Sequence, residues 1–298
     1  MRTEYREEPC RSALNRVQGM PFGWSLNPYM GCAHRCTFCY VRAFEARADR
    51  PSDERYGASI RVKTNVAAVL RRELARPSWS REGVVIGAAT DPYQPAEGRY
   101  RLTRACIEVL RDAANPFAII TRGPMILRDL DVLSEAAWRA EVSITFSIPT
   151  LDVDVWRTTE PGTAPPHQRL RVLQELVAAG LDVGVGMAPI LPGLSDRPEL
   201  LTEVVRAARA AGATGVWANV LYLKPGTKEH FLAALERDWP ELVPRYEELY
   251  ARRAYLPAER TKPVREAVRA LARSHGVRDR RRARLEPPAD PEQLELAV

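Results

Sequence analysis

Six apolar runs, each followed by a stretch of helical periodicity, divide residues 23–223 and predict an α/β chain: a partial (β/α)6 TIM-like barrel with a C-terminal helical extension. Two observations favour a curled sheet over an open one. Three closely spaced cysteines, Thr90-Asp91, Thr121-Arg122, Ser147 and Ala188-Pro189-Ile190 all fall at or just past the C-terminal ends of predicted strands. That rim is where barrel enzymes assemble their chemistry. Beyond Lys224 the alternation stops and only helical patterns follow.

In chain order, residues 1–25 read as an irregular N-terminal segment, with Arg11-Ser12-Ala13-Leu14-Asn15-Arg16 expected to pack across one barrel end. A short strand at 23–27 feeds the cysteine loop. Residues 41–50 are helix or loop, 60–63 are extended, and 65–74 have the caps and period of a helix with Val66, Val69 and Leu70 on one side. Gly83-Val84-Val85-Ile86-Gly87-Ala88-Ala89 is a continuous apolar run that breaks into Thr90-Asp91-Pro92-Tyr93-Gln94-Pro95. A strand buried on both faces of a parallel sheet ends in this way. Helix 103–114, strand 117–121, helix 129–137, strand 142–148, helix 167–179 with Gly180 near its C-cap, strand 181–189, helix 198–211 and strand 215–223 complete the alternation. Further helices are expected at 231–235, 241–253 and 263–273, the last with Val264, Ala267, Val268 and Leu271 on one face. Pro287-Pro288-Ala289-Asp290-Pro291 reads as a loose acidic tail. The domain organisation is thus 1–25 N-terminal segment, 26–223 barrel and 224–298 extension.

At 298 residues, 45% hydrophobic and 28% charged, the chain can bury a substantial core and does not have a disordered composition. No apolar run approaches a membrane span and no apolar stretch follows the charged N-terminus, so a soluble cytoplasmic protein is expected. The net charge of +6 is uneven: residues 251–285 carry 12 Lys/Arg against 3 Asp/Glu, leaving the remainder at −3. A localised basic segment is the electrostatic footprint of nucleic-acid binding, and equally the composition of a solvated helix face.

The stretch Asn27-Pro28-Tyr29-Met30-Gly31-Cys32-Ala33-His34-Arg35-Cys36-Thr37-Phe38-Cys39-Tyr40 places three thiols at C-x3-C-x2-C spacing. Iron–sulfur clusters are held by cysteine thiolates, and a four-iron cluster with three protein ligands keeps one iron open for a non-protein ligand. A structural zinc site would want a fourth ligand. Cys10 and Cys106 stand alone, and His34, which could complete a Cys3His set, is expected to point to solvent. Five cysteines, an odd count, with no secretory signal argue against disulfides.

This spacing, with Phe38 and Tyr40 flanking the last cysteine, resembles the signature of the radical S-adenosylmethionine superfamily. Thr90-Asp91-Pro92-Tyr93-Gln94-Pro95-Ala96-Glu97, Glu160-Pro161-Gly162-Thr163 with Arg169, and Ala188-Pro189-Ile190 further resemble its spore photoproduct lyase-like branch, over roughly residues 15–223. The resemblance implies one [4Fe–4S] cluster on Cys32, Cys36 and Cys39, with S-adenosylmethionine on the open iron. It implies a reductant protein such as flavodoxin or ferredoxin, and a 5′-deoxyadenosyl radical that takes hydrogen from a substrate, a nucleic acid or nucleotide in that branch. Arg122 would meet the cofactor carboxylate and Ser147 its ribose, with Thr90 and Asp91 nearby, Phe38 beside the adenine and Ala188 on its apolar side. Tyr40 would be the retained half of a radical-relaying tyrosine pair. Two departures matter. Ala88 stands where the lyase has its hydrogen-returning cysteine, and Phe38 replaces the second tyrosine, so repair of that lesion by that route is not expected. Two other readings stay open: radical modification of a small metabolite or peptide, and a non-enzymatic nucleic-acid-binding protein with a zinc or redox-sensing site. Glu160 and Arg169 are expected to form a structural ion pair. His34 and His167 receive no role, and no oligomeric state follows from the sequence.

Overall fold

The computed structural model describes residues 3–277. Its strands are β1 (Glu4–Glu8), β2 (Leu14–Arg16), β3 (Trp24–Leu26), β4 (Tyr29–Met30), β5 (Ser59–Lys63), β6 (Val84–Ile86), β7 (Phe117–Thr121), β8 (Val142–Ser147), β9 (Asp182–Ile190) and β10 (Val216–Val220). Seven of them form one sheet in the order β10-β9-β8-β7-β6-β3-β2, and β1-β5-β4 form a second, smaller one. From β3 to β10 the large sheet is parallel, with helical crossovers between successive strands. β10 and β2 occupy opposite edges, so the barrel does not close and its six parallel strands make the expected partial (β/α)6 architecture.

The strands form where the apolar runs lie because both sheet faces are covered. Along β7, Phe117, Ile119 and Thr121 are buried and Ala118 and Ile120 half-buried; along β8, Val142, Ile144 and Phe146 are buried. The helix Pro166–Ala178 turns Leu170, Leu173 and Leu176 to this core, a spacing of three that keeps one face inward. β6 stops at Ile86, earlier than its apolar run, because Gly87 adopts φ 92°. A side chain there would meet the Ile120 carbonyl at 2.4 Å and the Pro92 ring at 2.7 Å, so only glycine lets the chain turn this close to β7.

One expectation needs correction. Residues 3–25, read as irregular, carry two paired strands: β1 runs parallel to β5, and β2 pairs antiparallel with β3, Leu14 opposite Leu26. The segment 11–16 therefore extends the sheet edge instead of crossing a barrel end. Glu73 holds it there, accepting the Ala13 and Leu14 amides at 3.1 and 2.9 Å and the Ser12 hydroxyl at 2.7 Å. The helix Ala258–Ser274 is part of the barrel's packing. Val268 and Ala272 are buried in the main core, Val264 and Leu271 pack against it, and the helix lies on β10 and the helix Pro198–Ala210. Full burial of one such aliphatic side chain contributes about 1.5–3 kcal/mol, so this helix holds a sizeable part of a net stability of about 5–15 kcal/mol. The basic residues beyond 277 and the acidic 287–291 segment lie outside the described residues. Among the described residues no helix is long and apolar enough to cross a membrane.

Candidate active site

The cysteine loop leaves β4 and ends at the helix Arg42–Arg47, with Cys32 and Cys36 buried and Cys39 half-buried. Gly31 (φ 90°) and Arg35 (φ 52°) supply its left-handed turns. From the β6 side, the Gly31 carbonyl accepts the Thr90 hydroxyl at 2.7 Å and the Gln94 amide at 3.1 Å, while the Gln94 carbonyl oxygen accepts the Ala33 N–H at 3.0 Å. From the segment after β8, Thr159 accepts the Thr37 N–H at 2.9 Å and the Gly162 N–H donates to His34 at 3.1 Å. Arg42, itself buried, donates to the Cys36 and Arg35 carbonyls. Two glycines let backbone press on the loop: a side chain would meet the Cys32 carbonyl at 2.3 Å from Gly57 and the Ala33 carbonyl at 2.7 Å from Gly162. The protein's own hydrogen bonds thus pin the loop on both flanks.

The donor set fits an iron–sulfur cluster. Three thiols on one loop can each bind a separate iron of such a cluster. Burial raises the Cys36 and Cys39 thiols above their ordinary range, so loading iron must displace their protons. The Tyr56 hydroxyl lies 3.6 Å from Cys39 Sγ.

His34 does not point to solvent. It is 5% exposed, with Nδ1 3.4 Å from Asp91 Oδ2. Burial would lower its pKa, but the negative charge of Cys32 and Asp91 prevails and raises it to about 10. A carboxylate this deep needs a counter-charge, and His34 is the one at hand.

Asp91 serves the protein's own frame. Its Oδ1 accepts the Thr121 hydroxyl at 2.7 Å and the Tyr93 N–H at 2.9 Å, and its Oδ2 accepts the Arg122 N–H at 2.7 Å. Burial opposes ionisation, yet His34 and these donors bring its pKa down to about 2. Thr90 likewise directs its hydroxyl to the cysteine loop. Arg122, Ser147, Ala188 and Phe38 are brought together differently. The Ala188 carbonyl accepts the Ser147 hydroxyl at 3.0 Å and Arg122 Nη2 at 3.3 Å, and the Arg122 guanidinium lies 5.7 Å from the Phe38 ring centre. Tyr40 turns inward too, its hydroxyl donating to the Ala88 carbonyl, and burial raises its pKa.

Glu160 and Arg169 form the expected ion pair, 3.1 Å apart and 1% and 0% exposed. Arg169 also donates to the Ser147 carbonyl at 2.7 Å and the Ala164 carbonyl at 2.8 Å, tying the end of β8 to the loop that follows. Glu160 has a second partner that the sequence did not suggest: Arg122 Nε donates to it at 2.5 Å. Gln94, Arg42 and Tyr56 also went unrecognised. Gln94 sits within the Thr90–Glu97 motif, a usable signal; Arg42 and Tyr56 carry none.

Comparison with known proteins bears on this geometry. The radical SAM superfamily model matches residues 26–203. An uncharacterized protein of Mycobacterium tuberculosis strain H37Rv is 43% identical over 270 residues, spanning 90% of this chain and 79% of that protein. An uncharacterized protein of Acidianus two-tailed virus is 30% identical over 221 residues, 72% of each chain. Among solved structures, spore photoproduct lyase complexed with dinucleoside spore photoproduct superposes with a TM-score of 0.68 at 16% identity, covering 91% of this chain and 79% of that one. At that identity the likeness is one of fold. The family match, the shared partial barrel and the three-thiol loop together place the chain in the radical SAM superfamily, as an enzyme whose cofactors are S-adenosylmethionine and an iron–sulfur cluster.

Proposed function

We propose that Cys32, Cys36 and Cys39 each bind one iron of a [4Fe–4S] cluster, and that S-adenosylmethionine lies between this loop and the ends of β7, β8 and β9. The observation that carries this is the pinned three-thiol loop facing the Arg122–Ser147–Ala188 junction. When bound, cluster and cofactor supply an electron and a 5′-deoxyadenosyl radical that removes hydrogen from a substrate.

The chain's own residues bind, orient and exclude. Arg122 keeps Nη1 free of hydrogen bonds among the described residues while Glu160 and Ala188 fix its other nitrogens, so it is held ready for a carboxylate. Phe38 offers an apolar face to an adenine. Thr90 and Asp91 act through the loop they hold. Ala88 carries no hydrogen that a radical would readily take, so hydrogen return comes from the cofactor or from outside position 88.

The substrate class supported best is a nucleic acid or nucleotide, from the lyase-like fold and motifs together with the basic C-terminal segment. Anaerobic reconstitution with iron and sulfide, then dithionite and S-adenosylmethionine, should give 5′-deoxyadenosine, with yield rising when oligonucleotides are added. Cys36→Ala should lose both the iron and the product. Wild-type protein with full iron and no 5′-deoxyadenosine would refute the reading.

A further inference from the structure

The cysteine loop has a second face. Phe38 and Tyr40 turn inward toward Arg122 and Ala88, whereas Arg35 and Thr37 line a cavity of about 340 Å³. Its walls come from the loop after the helix Arg42–Arg47, the helix Val153–Thr159 and the helix Thr227–Asp238. Four arginines, Arg35, Arg42, Arg157 and Arg237, line it against two carboxylates, Glu54 and Asp238. Asp238 is already taken by Arg237 at 2.5 Å. Arg157 is exposed and makes no hydrogen bond or ion pair among the described residues, and Arg35 Nε is buried with no partner. None of the residues assigned to cofactor binding lines this cavity, so an occupant would leave the mouth free.

We propose that this cavity is the docking site of an acidic electron-donor protein, which passes one electron through the outer face of the cysteine loop. The inference rests on the cluster assignment above. The step is one-electron: the donor's reduced flavin or iron centre is oxidised by one unit as the oxidised cluster is reduced by one, and no bond is made or broken. Four arginines against two carboxylates around a concave floor, with Arg157 free of internal partners, suit carboxylates on a convex partner, and complementary charge of this kind acts mainly on the association rate. Arg35 and Thr37, which line the cavity, flank Cys36 in the chain, so a donor seated here borders the cysteine loop. One seated over the barrel mouth would compete with cofactor and substrate.

The test uses reconstituted holoenzyme without S-adenosylmethionine, following the bleaching of the cluster absorption. With flavodoxin hydroquinone at low ionic strength, Arg157→Glu should slow bleaching roughly tenfold, and wild-type bleaching should slow as salt is raised. Arg139→Glu, the same charge change on a distant helix, should stay within about twofold of wild type. Photoreduced 5-deazaflavin, a small reductant, should bleach all three proteins equally. Holoenzyme binding to immobilised oxidised flavodoxin should weaken in Arg157→Glu and not in Arg139→Glu. Equal loss with both reductants, or flavodoxin rates indifferent to Arg157 and to salt, would overturn the inference. So would saturable inorganic phosphate binding in the cavity with the flavodoxin rate unchanged in Arg157→Glu, which would assign the cavity to a small anion. Failure of 5-deazaflavin to bleach wild-type protein of full iron content would remove the cluster assignment and this inference with it.

Discussion

Two networks of buried charge lie beyond the ends of the parallel strands, one around Glu97 after β6 and one around Glu160 after β8, and they differ in how their donors are used. Around Glu97, fully buried, every partner is internal: the Tyr29 hydroxyl at 2.5 Å, the Thr103 N–H at 2.9 Å and Arg128 at 2.8 Å, with Asp129 accepting from Arg128 at 2.8 Å. Around Glu160 the carboxylate is equally buried, but one of its two arginines, Arg122, reaches into the space beside the thiol loop with a nitrogen to spare. Buried charge alone therefore marks no site. What distinguishes the second network is a guanidinium nitrogen with no internal partner among the described residues, next to the three-thiol loop.

Four substitutions or truncations probe that contrast. Arg169→Ala leaves Glu160 buried against a weaker set of partners, a change worth about 3–5 kcal/mol and a fall in Tm of about 10 °C in a chain this long. Differential scanning calorimetry would show it, and 5′-deoxyadenosine output should fall as well because the end of β8 loses its tie. Glu97→Gln should cost about 1–3 kcal/mol by leaving donors imperfectly satisfied, while 5′-deoxyadenosine per iron stays at the wild-type level. A loss of turnover there would erase the distinction between the two networks. Arg122→Lys keeps the charge and gives up the planar fork, so KM for S-adenosylmethionine should rise roughly tenfold with Tm nearly unchanged. An unchanged KM would move Arg122 into the purely structural group. Ending the chain after Val277 spares the helix Ala258–Ser274 and removes Arg278, Arg280, Arg281, Arg282 and Arg284. Its Tm should hold, and any oligonucleotide affinity should drop a few-fold at low salt with a shallower salt dependence. Truncating instead near Ala251 would take core residues with it and report on folding.

The strand–helix alternation was legible because apolar runs over both faces of a parallel sheet leave little ambiguity, and β7 falls where its run was read. β2 was not legible, since a three-residue strand with one buried side chain has no period to detect. The face of the helix Ala258–Ser274 could be read from its spacing, but not that β10 would cover it. At the site, the thiols announced themselves by spacing alone. The orientation of Asp91 and His34 could not be read, because whether a carboxylate faces a ligand or its own backbone depends on residues such as Thr121 and Arg122, thirty or so positions away.

The grip of Thr159 on Thr37 joins residues 122 positions apart. A nascent chain that has emerged only as far as β7 carries all three thiols on a loop still missing one of its two supports. Order in that loop therefore arrives late in synthesis, after β8 and the helix Val153–Thr159 have joined the sheet, and iron delivered before then would meet cysteines whose relative positions are not yet set. Maturation of this enzyme is in that sense coupled to the tertiary fold, and a variant that slows the docking of residues 159–162 should accumulate as iron-poor protein even where its finished structure is sound.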